Sequence, residues 1–443
     1  MTDRFDLDAI RSQFPALSRT VDGHRAVFLD GAAGSQVPAR VALAVSDYLR
    51  DTNANHGGPF ATSIESDAVL DSAHRAAADF LGSSDPDTVA FGSNMTTLTL
   101  AVSRALAATW NPGDRILVSQ LDHDANVTPW VLAARDAGVA VDHAAIDPAT
   151  ATLDLDDLRS HLTDSTRLVA IAAASNLSGS VNPVAEITRI AHQVGALVFV
   201  DAVHLAPHRL LDVVDWDCDL LACSAYKFFG PHVGLLWGRR ELLESLEPYK
   251  LRPATDELPG KWMTGTGNHE GIAGVGAAIE YLADLGRELD PQAQSRRQAL
   301  VSAFEAIGEH ERELSLALLE GLIGLDGITI HGITDPRQID HRVATYSITH
   351  QQRTPLELAE GLAARGIFTW PGNHYALPAT EALGLEPHGT LRISALHYNT
   401  LEEIERTVGV LGELVSGPPG GQIRRRRTTD GPCSISNGPH AGA

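Results

Sequence analysis

An aspartate and a lysine that stand 26 residues apart carry the clearest chemical signal in the chain. Asp201 follows the apolar run Ala196–Val200, whose short length and flanking Gly195 predict a strand buried on both faces of a parallel sheet. Open α/β sheets bind their ligands at the carboxyl ends of such strands. Lys227 lies among apolar and aromatic residues, where desolvation disfavours its ammonium and favours a neutral, nucleophilic amine. Schiff-base chemistry requires such an amine, whereas a position on a surface loop is the alternative for a lone lysine.

The order of residues around this pair is more specific than the lysine alone. His204 lies three residues after Asp201, and Ser224 lies three residues before Lys227. In this order the stretch resembles the fold-type-I pyridoxal-phosphate enzymes of the class V aminotransferase superfamily, most of all the cysteine desulfurase and selenocysteine lyase branch. The resemblance implies that Lys227 carries pyridoxal 5'-phosphate as a Schiff base and that Asp201 holds the protonated pyridine nitrogen. It also implies that His204 lies by the phenolic oxygen and that Ser224 donates to the phosphate.

A polar turn upstream could bind that phosphate. Ser93, Asn94 and Met95 stand between a predicted strand and a predicted apolar helix, Leu98 to Ala108. Such a turn presents free amides and the positive end of the helix dipole to an anion. An ordinary helix N-cap without a ligand is the alternative, and the presence of Lys227 downstream favours the phosphate.

Two further loops carry residues that the resemblance places at the cofactor. His123 follows the predicted strand Ile116–Ser119, and the resemblance implies that it stacks on the pyridine face. An imidazole there can also act as an acid or a base near neutral pH, whereas a structural loop histidine is the alternative. Asn176 follows the predicted strand Leu168–Ala173 and matches an asparagine near the phenolic oxygen and the substrate carboxylate.

The resemblance also indicates substrate contacts and a second subunit. Arg392 lies in the segment Thr390–Ser394, which matches the family's carboxylate-binding strand. A bidentate guanidinium fixes a carboxylate in one plane, although an arginine that anchors an exposed strand is the alternative. His56 lies in a glycine-rich loop that borders the substrate in the family and could equally be a plain surface loop. Thr266 resembles the turn that reaches the phosphate of the neighbouring subunit, which implies a homodimer.

The chain departs from the desulfurase pattern at the residue that would receive sulfur. Desulfurases carry a mobile cysteine just ahead of the arginine strand, and Tyr375 occupies that place here. Tyr226 replaces the histidine that desulfurases have directly before the lysine. The three cysteines all lie outside this motif: Cys218, Cys223 and Cys433. Because a phenol cannot form a persulfide as a thiolate can, we assign the chain to a subgroup without the catalytic cysteine.

The remaining residues suit an enzyme that binds an α-amino acid and stabilises a carbanion at Cα. Lys227, once released by the incoming amine, is the base for the α-proton, and His123 is a second candidate for proton transfer. A carbanion with a leaving group on Cβ expels that group. The simplest function is therefore β-elimination at the C–S bond of cysteine or of an S-substituted cysteine, giving pyruvate, ammonia and a thiol. His374 and Tyr375 would line the leaving-group side, and Trp370 would offer apolar area to a bulky substituent.

Other outcomes of the same apparatus stay open. Transamination returns the proton to a different atom, and decarboxylation of a cysteine conjugate breaks the bond to the carboxylate. Oxidative deamination of such a conjugate is a related alternative. Desulfuration with another sulfur acceptor is a further possibility. A non-catalytic scaffold that kept the fold is disfavoured by the intact Lys227, Asp201 and Arg392.

The elements that must position these residues predict an α/β fold. Strands and helices alternate over residues 88–240, which favours a mostly parallel sheet with right-handed crossovers. A long helix from Asp284 to Leu322 is predicted to join this large domain to a smaller C-terminal α/β domain. We expect four segments: an N-terminal segment of residues 1–25, a large cofactor-binding domain of residues 26–283, a connecting helix with the small domain over residues 284–415, and a disordered tail of residues 416–443 rich in Gly, Pro, Ser and Arg.

The composition of the chain excludes some classes of binding partner. A formal net charge of −22 argues against nucleic acid and against an anionic membrane surface. The polar N-terminus does not read as a signal peptide, and no run approaches the roughly 18 apolar residues of a membrane span. His204 and His208 have helical spacing for a metal site, but the intervening Pro207 disfavours one. We therefore expect a cytoplasmic enzyme with a small amino-acid substrate and no metal.

Overall fold

The computed structural model of the chain describes residues 6–416, and the predicted tail lies almost entirely outside this range. The α-helices are α1 (Leu7–Ser12), α2 (Ala39–Asp47), α3 (Ala61–Leu81), α4 (Met95–Ala107), α5 (Thr128–Ala137), α6 (Leu155–His161), α7 (Val184–His192), α8 (Arg240–Ser245), α9 (His269–Leu289), α10 (Arg296–Ile323), α11 (Pro355–Ala363), α12 (Leu377–Ala382) and α13 (Leu401–Ser416). The strands are β1 (Thr20–Val21), β2 (His24–Arg25), β3 (Val27–Phe28), β4 (Val89–Gly92), β5 (Arg115–Ser119), β6 (Ala140–Ala144), β7 (Ile146–Asp147), β8 (Thr152–Leu153), β9 (Thr166–Ala172), β10 (Leu197–Asp201), β11 (Leu220–Ser224), β12 (Gly234–Gly238), β13 (Ile328–His331), β14 (Thr345–His350), β15 (Ile367–Phe368), β16 (Trp370–Gly372) and β17 (Thr390–Ser394).

A seven-stranded sheet forms the centre of the molecule. Its strand order is β4-β12-β11-β10-β9-β5-β6, and β12 runs in the direction opposite to the other six strands. Alternate residues of β10 enter different apolar clusters, with Val198 and Val200 on one face and Phe199 on the other. Both faces of the strand are therefore covered, which explains its continuous apolar sequence. The mostly parallel sheet predicted from the sequence is confirmed.

The helix predicted from Asp284 to Leu322 is instead two helices, α9 and α10. Asp290 leaves the helical region, with φ −130° and ψ 87°, because the following Pro291 disfavours helical backbone at the residue before it. The side chain of Ser295 then caps the start of α10 by accepting from the amide of Gln298. Gly286 allows the two helices close contact, since a Cβ there would lie 1.7 Å from the carbonyl oxygen of Ala299.

A second, four-stranded antiparallel sheet has the order β13-β14-β17-β16. An N-terminal segment joins this part of the molecule: β3 pairs in parallel with β15, and Asp30 forms a β-bridge with Ser394 at the end of β17. Leu29 is buried in the same apolar cluster as Ile393. The turn after β3 is consequently fixed beside the strand that carries Arg392.

The seven-stranded sheet positions the polar turn at the start of α4. Asn94 caps this helix, and its side chain accepts from the amide of Thr97 at 2.9 Å. Gly234 of β12 lies directly against this turn, because a Cβ built there would be 2.4 Å from the carbonyl carbon of Asn94. The turn therefore depends on the absence of a side chain at residue 234.

We expect Gly234→Ala to displace this turn and lower the affinity for pyridoxal phosphate. Overpacking of a close backbone contact costs about 1–3 kcal/mol of stability. The matched control is Gly238→Ala in the same strand, where the added Cβ meets the side chains of Leu220 and Leu243 and not the backbone of the turn. Titration of each purified variant with the cofactor, followed by its visible absorbance, measures the effect. Equal cofactor affinity in the two variants would contradict the role given to Gly234.

Candidate active site

Lys227 lies where two cavities meet. The sheet-side cavity, of about 640 Å³, opens above the carboxyl ends of the parallel strands, and the loop-side cavity, of about 380 Å³, opens between the turn after β3 and β17. Four residues line both cavities: His123, Asn176, Tyr226 and Lys227. The sheet-side cavity also contains Ser93, Asn94, Met95, Asp201, His204 and Ser224. The loop-side cavity also contains Asp30, Trp370, His374, Tyr375 and Arg392.

The amine of Lys227 is buried and held by the backbone. The residue ends a 3₁₀ turn that directly follows β11, and only 8% of it is exposed. Its Nζ donates to the carbonyl oxygen of Ala32. Burial lowers the pKa of Lys227 to about 7, and repulsion from Arg392 adds to this effect, while Asp201 and Asp30 oppose it. A neutral amine is therefore available near neutral pH, as Schiff-base formation requires.

Asp201 is the carboxylate at the end of β10. It is 5% exposed, and its Oδ1 accepts from the amide of Val203 at 2.8 Å. Burial raises the pKa of Asp201 to about 6, so the group is still ionised at neutral pH. A buried carboxylate on the wall of a cavity suits a protonated ring nitrogen, since that cation would compensate its lost hydration.

The polar turn at α4 is connected to β11 through one hydrogen bond. The amide of Met95 donates to the Oγ of Ser224 at 2.9 Å, so this amide already has an acceptor. The sequence did not indicate this contact. It leaves the hydroxyl proton of Ser224 available at the N-terminal end of a 13-residue helix, beside Ser93 and Asn94. Ser93, Asn94 and Ser224 form a candidate binding site for a dianionic phosphate. The positive end of the helix dipole and the hydroxyl of Ser224 would both favour the anion.

The ring of His123 lies between the two cavities as a neutral imidazole. Its Nδ1 accepts from the amide of Ala125 at 3.0 Å, which places the ring proton on Nε2. Burial lowers the pKa of His123 to about 4, and the positive charges of Lys227 and Arg392 add to this. At neutral pH His123 can therefore accept a proton but is not an imidazolium that donates one. Of the two roles expected from the sequence, acid or base, the structure favours the base.

His204 and Asn176 complete the sheet-side wall. The Nε2 of His204 lies 3.1 Å from Thr345 Oγ1, and burial, together with neighbouring positive groups, holds the pKa of His204 well below its usual range. Asn176 donates from Nδ2 to the carbonyl oxygen of His374 at 2.8 Å. Its Oδ1 is buried and has no hydrogen-bond partner within residues 6–416. An unpartnered acceptor at the junction of the cavities suits a hydroxyl or ammonium of a bound molecule.

Arg392 provides the cation of the loop-side cavity. It is 5% exposed, and its Nη1 donates to the carbonyl oxygen of Asn176 at 2.8 Å. Burial lowers the pKa of Arg392 to about 10, partly opposed by Asp30, so the guanidinium stays charged at neutral pH. This hydrogen bond orients the fork toward the residues that line the cavity, where a carboxylate can bind.

The mouth of the loop-side cavity is formed by two residues with left-handed backbone. His374 and Tyr375 have φ values of 57° and 56°, which are unfavourable for residues other than glycine. The carbonyl oxygen of Tyr375 accepts from the amide of Asp124 at 2.7 Å, and His374 Nε2 lies 3.0 Å from Thr390 Oγ1. The phenol ring stacks on His123 with a centroid distance of 5.5 Å and remains 72% exposed. The strained backbone thus presents Tyr375 at the entrance.

Two residues predicted for the site lie outside its two cavities, although Thr266 also lines a further cavity, of about 600 Å³, together with Ser93 of the polar turn. His56 and Thr266 are exposed and line a third cavity, of about 870 Å³, together with His269. Neither lines the sheet-side or the loop-side cavity. Sequence reasoning also missed Asp30, which lies in the turn after β3 and lines the loop-side cavity.

The two cysteines within the described residues are unsuited to carry sulfur. Cys218 and Cys223 are fully buried, and burial raises the pKa of both thiols well above the usual range. Cys433 lies outside the described residues. Within residues 6–416 the structure contains no group of three or more His, Cys, Asp or Glu side chains arranged to hold a metal. Nor does any helix in this range have the length and apolarity needed to cross a membrane.

Comparison with known proteins agrees with this geometry. The family model described as Aminotransferase class-V matches residues 27–407. The chain is 32% identical to the aminotransferase-like protein FGM3 of Gibberella zeae, over 92% of this chain and 98% of that protein. It is also 32% identical to a probable cysteine desulfurase of Streptomyces coelicolor, over 91% and 96% of the respective chains.

Solved structures are similar as well. The cysteine desulfurase CsdA of Escherichia coli superposes with a TM-score of 0.80 at 27% identity, covering 93% of this chain and 99% of that one. A cysteine desulfurase of Thermococcus onnurineus gives a TM-score of 0.83 at 26% identity, covering 94% and 100% of the respective chains. The similarity therefore extends over nearly the whole chain.

The lowered pKa of Lys227 predicts how cofactor incorporation depends on pH. Because the amine must be neutral to attack, the rate at which the apoprotein takes up pyridoxal phosphate should rise as the pH rises through about 7 and then level off. Stopped-flow absorbance measures this rate. The control is N-acetyl-lysine, whose exposed amine keeps the ordinary value of 10.5, so that its rate still rises well above pH 8. A protein profile that follows the control would show that Lys227 is not desolvated.

Proposed function

The chain belongs to the class-V aminotransferase family and is a pyridoxal-phosphate-dependent enzyme, and we propose on this premise that it catalyses β-elimination at the C–S bond of cysteine or an S-substituted cysteine. The observation that carries the proposal is Tyr375, which stands at the cavity mouth where a desulfurase requires a thiol. A phenol at this position can contact a departing sulfur but cannot bind it covalently as a persulfide.

The residues of the sheet-side cavity fit the cofactor. Lys227 provides the amine, Asp201 the carboxylate for the ring nitrogen, and Ser224 with the start of α4 the phosphate site. The unpartnered Oδ1 of Asn176 is available to the phenolic group. Pyridoxal phosphate, when bound, supplies an electron sink for the carbanion at Cα of an attached amino acid.

The protein's own residues orient the substrate and move its protons. Arg392 binds the α-carboxylate in the loop-side cavity and so fixes the rotation about Cα. The released amine of Lys227, at the junction of the two cavities, takes the proton from Cα. The Cβ–S bond then breaks, and its electron pair leaves with sulfur, which takes up a proton and departs as the thiol. The three-carbon fragment leaves as an enamine, which one molecule of water converts to pyruvate and ammonia.

The loop-side cavity suits a sulfur that carries a substituent. Trp370 is 51% exposed and Tyr375 is 72% exposed, so apolar and aromatic area lies open beside the cavity. A substituent on sulfur would bury part of this area and gain roughly 25 cal/mol per Å². Free cysteine has no group to cover it. We therefore expect S-substituted cysteines to be better substrates than cysteine.

We further propose that the active enzyme is a homodimer. His56 and Thr266 lie exposed around the third cavity of their own chain. A second subunit would bring them to the site of its partner, as the family resemblance implies. Size measurement in solution tests this proposal independently of the reaction.

Identification of the three-carbon product tests the reaction. With S-methylcysteine we expect pyruvate, ammonia and methanethiol in equal amounts, and with cysteine slower formation of pyruvate and sulfide. The Lys227→Ala variant is the negative control, because it lacks the amine that the cofactor site requires, and it should form none of these products. Tyr375→Cys is the informative variant, since it places a thiol where a desulfurase has one.

The products distinguish the alternatives. Alanine from cysteine, with a persulfide on the protein, would overturn the proposal in favour of desulfuration with another acceptor. A keto acid that retains its sulfur would indicate transamination, and release of carbon dioxide would indicate decarboxylation. Alanine formed by Tyr375→Cys but not by the natural enzyme would assign the choice of reaction to residue 375.

A further inference from the structure

Asp30 is a carboxylate with an unmet hydrogen-bonding capacity in the loop-side cavity. Its Oδ1 is buried and has no partner among residues 6–416. The backbone around it is fixed, because Asp30 forms a β-bridge with Ser394 and the carbonyl oxygen of Leu29 accepts from the amide of Ser394 at 2.8 Å. A buried acceptor without a donor costs free energy, typically about 1–3 kcal/mol and more for a charged group. The arrangement therefore suits a donor that arrives with a ligand.

The location of Asp30 indicates which ligand that is. The residue lines the loop-side cavity with Lys227 and Arg392, and it does not line the sheet-side cavity that fits the cofactor. Lys227 already donates to Ala32, and Arg392 donates to Asn176. Neither cation donates to Oδ1 of Asp30, so a donor carried by the substrate can occupy this acceptor.

The positions of the two charged side chains correspond to those of an amino-acid zwitterion. The ammonium and the carboxylate of an α-amino acid are attached to the same carbon, so the groups that bind them must be neighbours. Asp30 bridges Ser394 at the end of β17, and Arg392 lies two residues earlier in that strand. The bridge between the turn after β3 and the end of β17 thus holds the carboxylate of Asp30 and the guanidinium of Arg392 near each other. Both residues line the same cavity as the amine of Lys227.

We propose that Asp30 binds the α-ammonium group of the incoming amino acid while Arg392 binds its α-carboxylate. The contact is a charge-assisted hydrogen bond to a buried carboxylate. Transfer of one N–H proton from the ammonium to Oδ1 leaves a neutral amine with a free electron pair, the form that can displace Lys227 from the cofactor. Burial raises the pKa of Asp30 to about 6, which makes this carboxylate a better proton acceptor than an exposed one.

This inference rests on the proposed function only in requiring an amino-acid substrate. Its test therefore uses alanine, which has no leaving group on Cβ and binds whether or not the enzyme cleaves C–S bonds. Propionate is alanine without the ammonium. The pair separates recognition of the amine from recognition of the carboxylate.

Binding of the two probes to the holoenzyme and to Asp30→Asn provides the measurement. Absorbance change of the cofactor on titration reports alanine, and competition against alanine reports propionate. We expect Asp30→Asn to weaken alanine binding at least about tenfold and to leave propionate within about twofold. Asp114→Asn is the control, since Asp114 is a buried carboxylate that pairs with Arg167 away from both cavities, and it should change neither value.

Two results would overturn the assignment. Equal weakening of both probes would show that Asp30 only positions Arg392, and unchanged alanine binding would show that it has no contact with the amine. The natural enzyme gives a second measurement if Asp30→Asn fails to fold. Because protonation removes the charge of Asp30, competitive binding of N,N-dimethylalanine, which keeps an ammonium N–H but cannot form a Schiff base, should weaken as the pH falls through about 6, more than propionate binding does. A parallel pH dependence of both probes would contradict the proposal.

Discussion

Desolvation of the Lys227 amine is the constraint on which the rest of the site depends. An ordinary lysine is protonated at neutral pH and cannot form a bond to carbon, whereas burial lowers the pKa of this one to about 7. The same burial makes every other charge nearby expensive. It keeps His123 neutral and raises the pKa of Asp201 and Asp30 to about 6. The chemical character of the site thus follows from the burial of its charged groups away from water.

The fold provides this environment by placing Lys227 between the ends of the parallel strands and the turn that packs beside β17. The parallel strands end at the sheet-side cavity, where Asp201, Ser224 and the start of α4 present a carboxylate, a hydroxyl and a helix dipole. The N-terminal turn and β17 form the loop-side cavity, where the charged groups suit a zwitterion rather than a phosphate. Lys227 lies between them and therefore reaches both a cofactor and a substrate. This division explains why one lysine can serve in binding and in proton transfer.

Sequence reasoning succeeded where the signal was local. The apolar run before Asp201 identified β10, and the alternation of elements identified the parallel sheet. It failed where contacts are distant: the position of Asp30 depends on a bridge to Ser394, and the amide of Met95 is satisfied by Ser224, 129 residues away. The break before α10 did have a local signal, Asp290 followed by Pro291, which the charged helical pattern on either side obscured. The left-handed backbone at Tyr375 arises from tertiary contacts and has no sequence signature.

A crystal structure of the holoenzyme with S-methylcysteine, determined for a Lys227→Ala variant that cannot turn it over, tests the division of the site most directly. We expect the cofactor ring in the sheet-side cavity with its nitrogen at Asp201. The substrate carboxylate should lie at Arg392, its nitrogen nearest Asp30, and its sulfur between Trp370 and Tyr375. A substrate whose carboxylate points toward the mouth, with its sulfur away from Tyr375, would contradict both the assignment of the cavities and the proposed elimination.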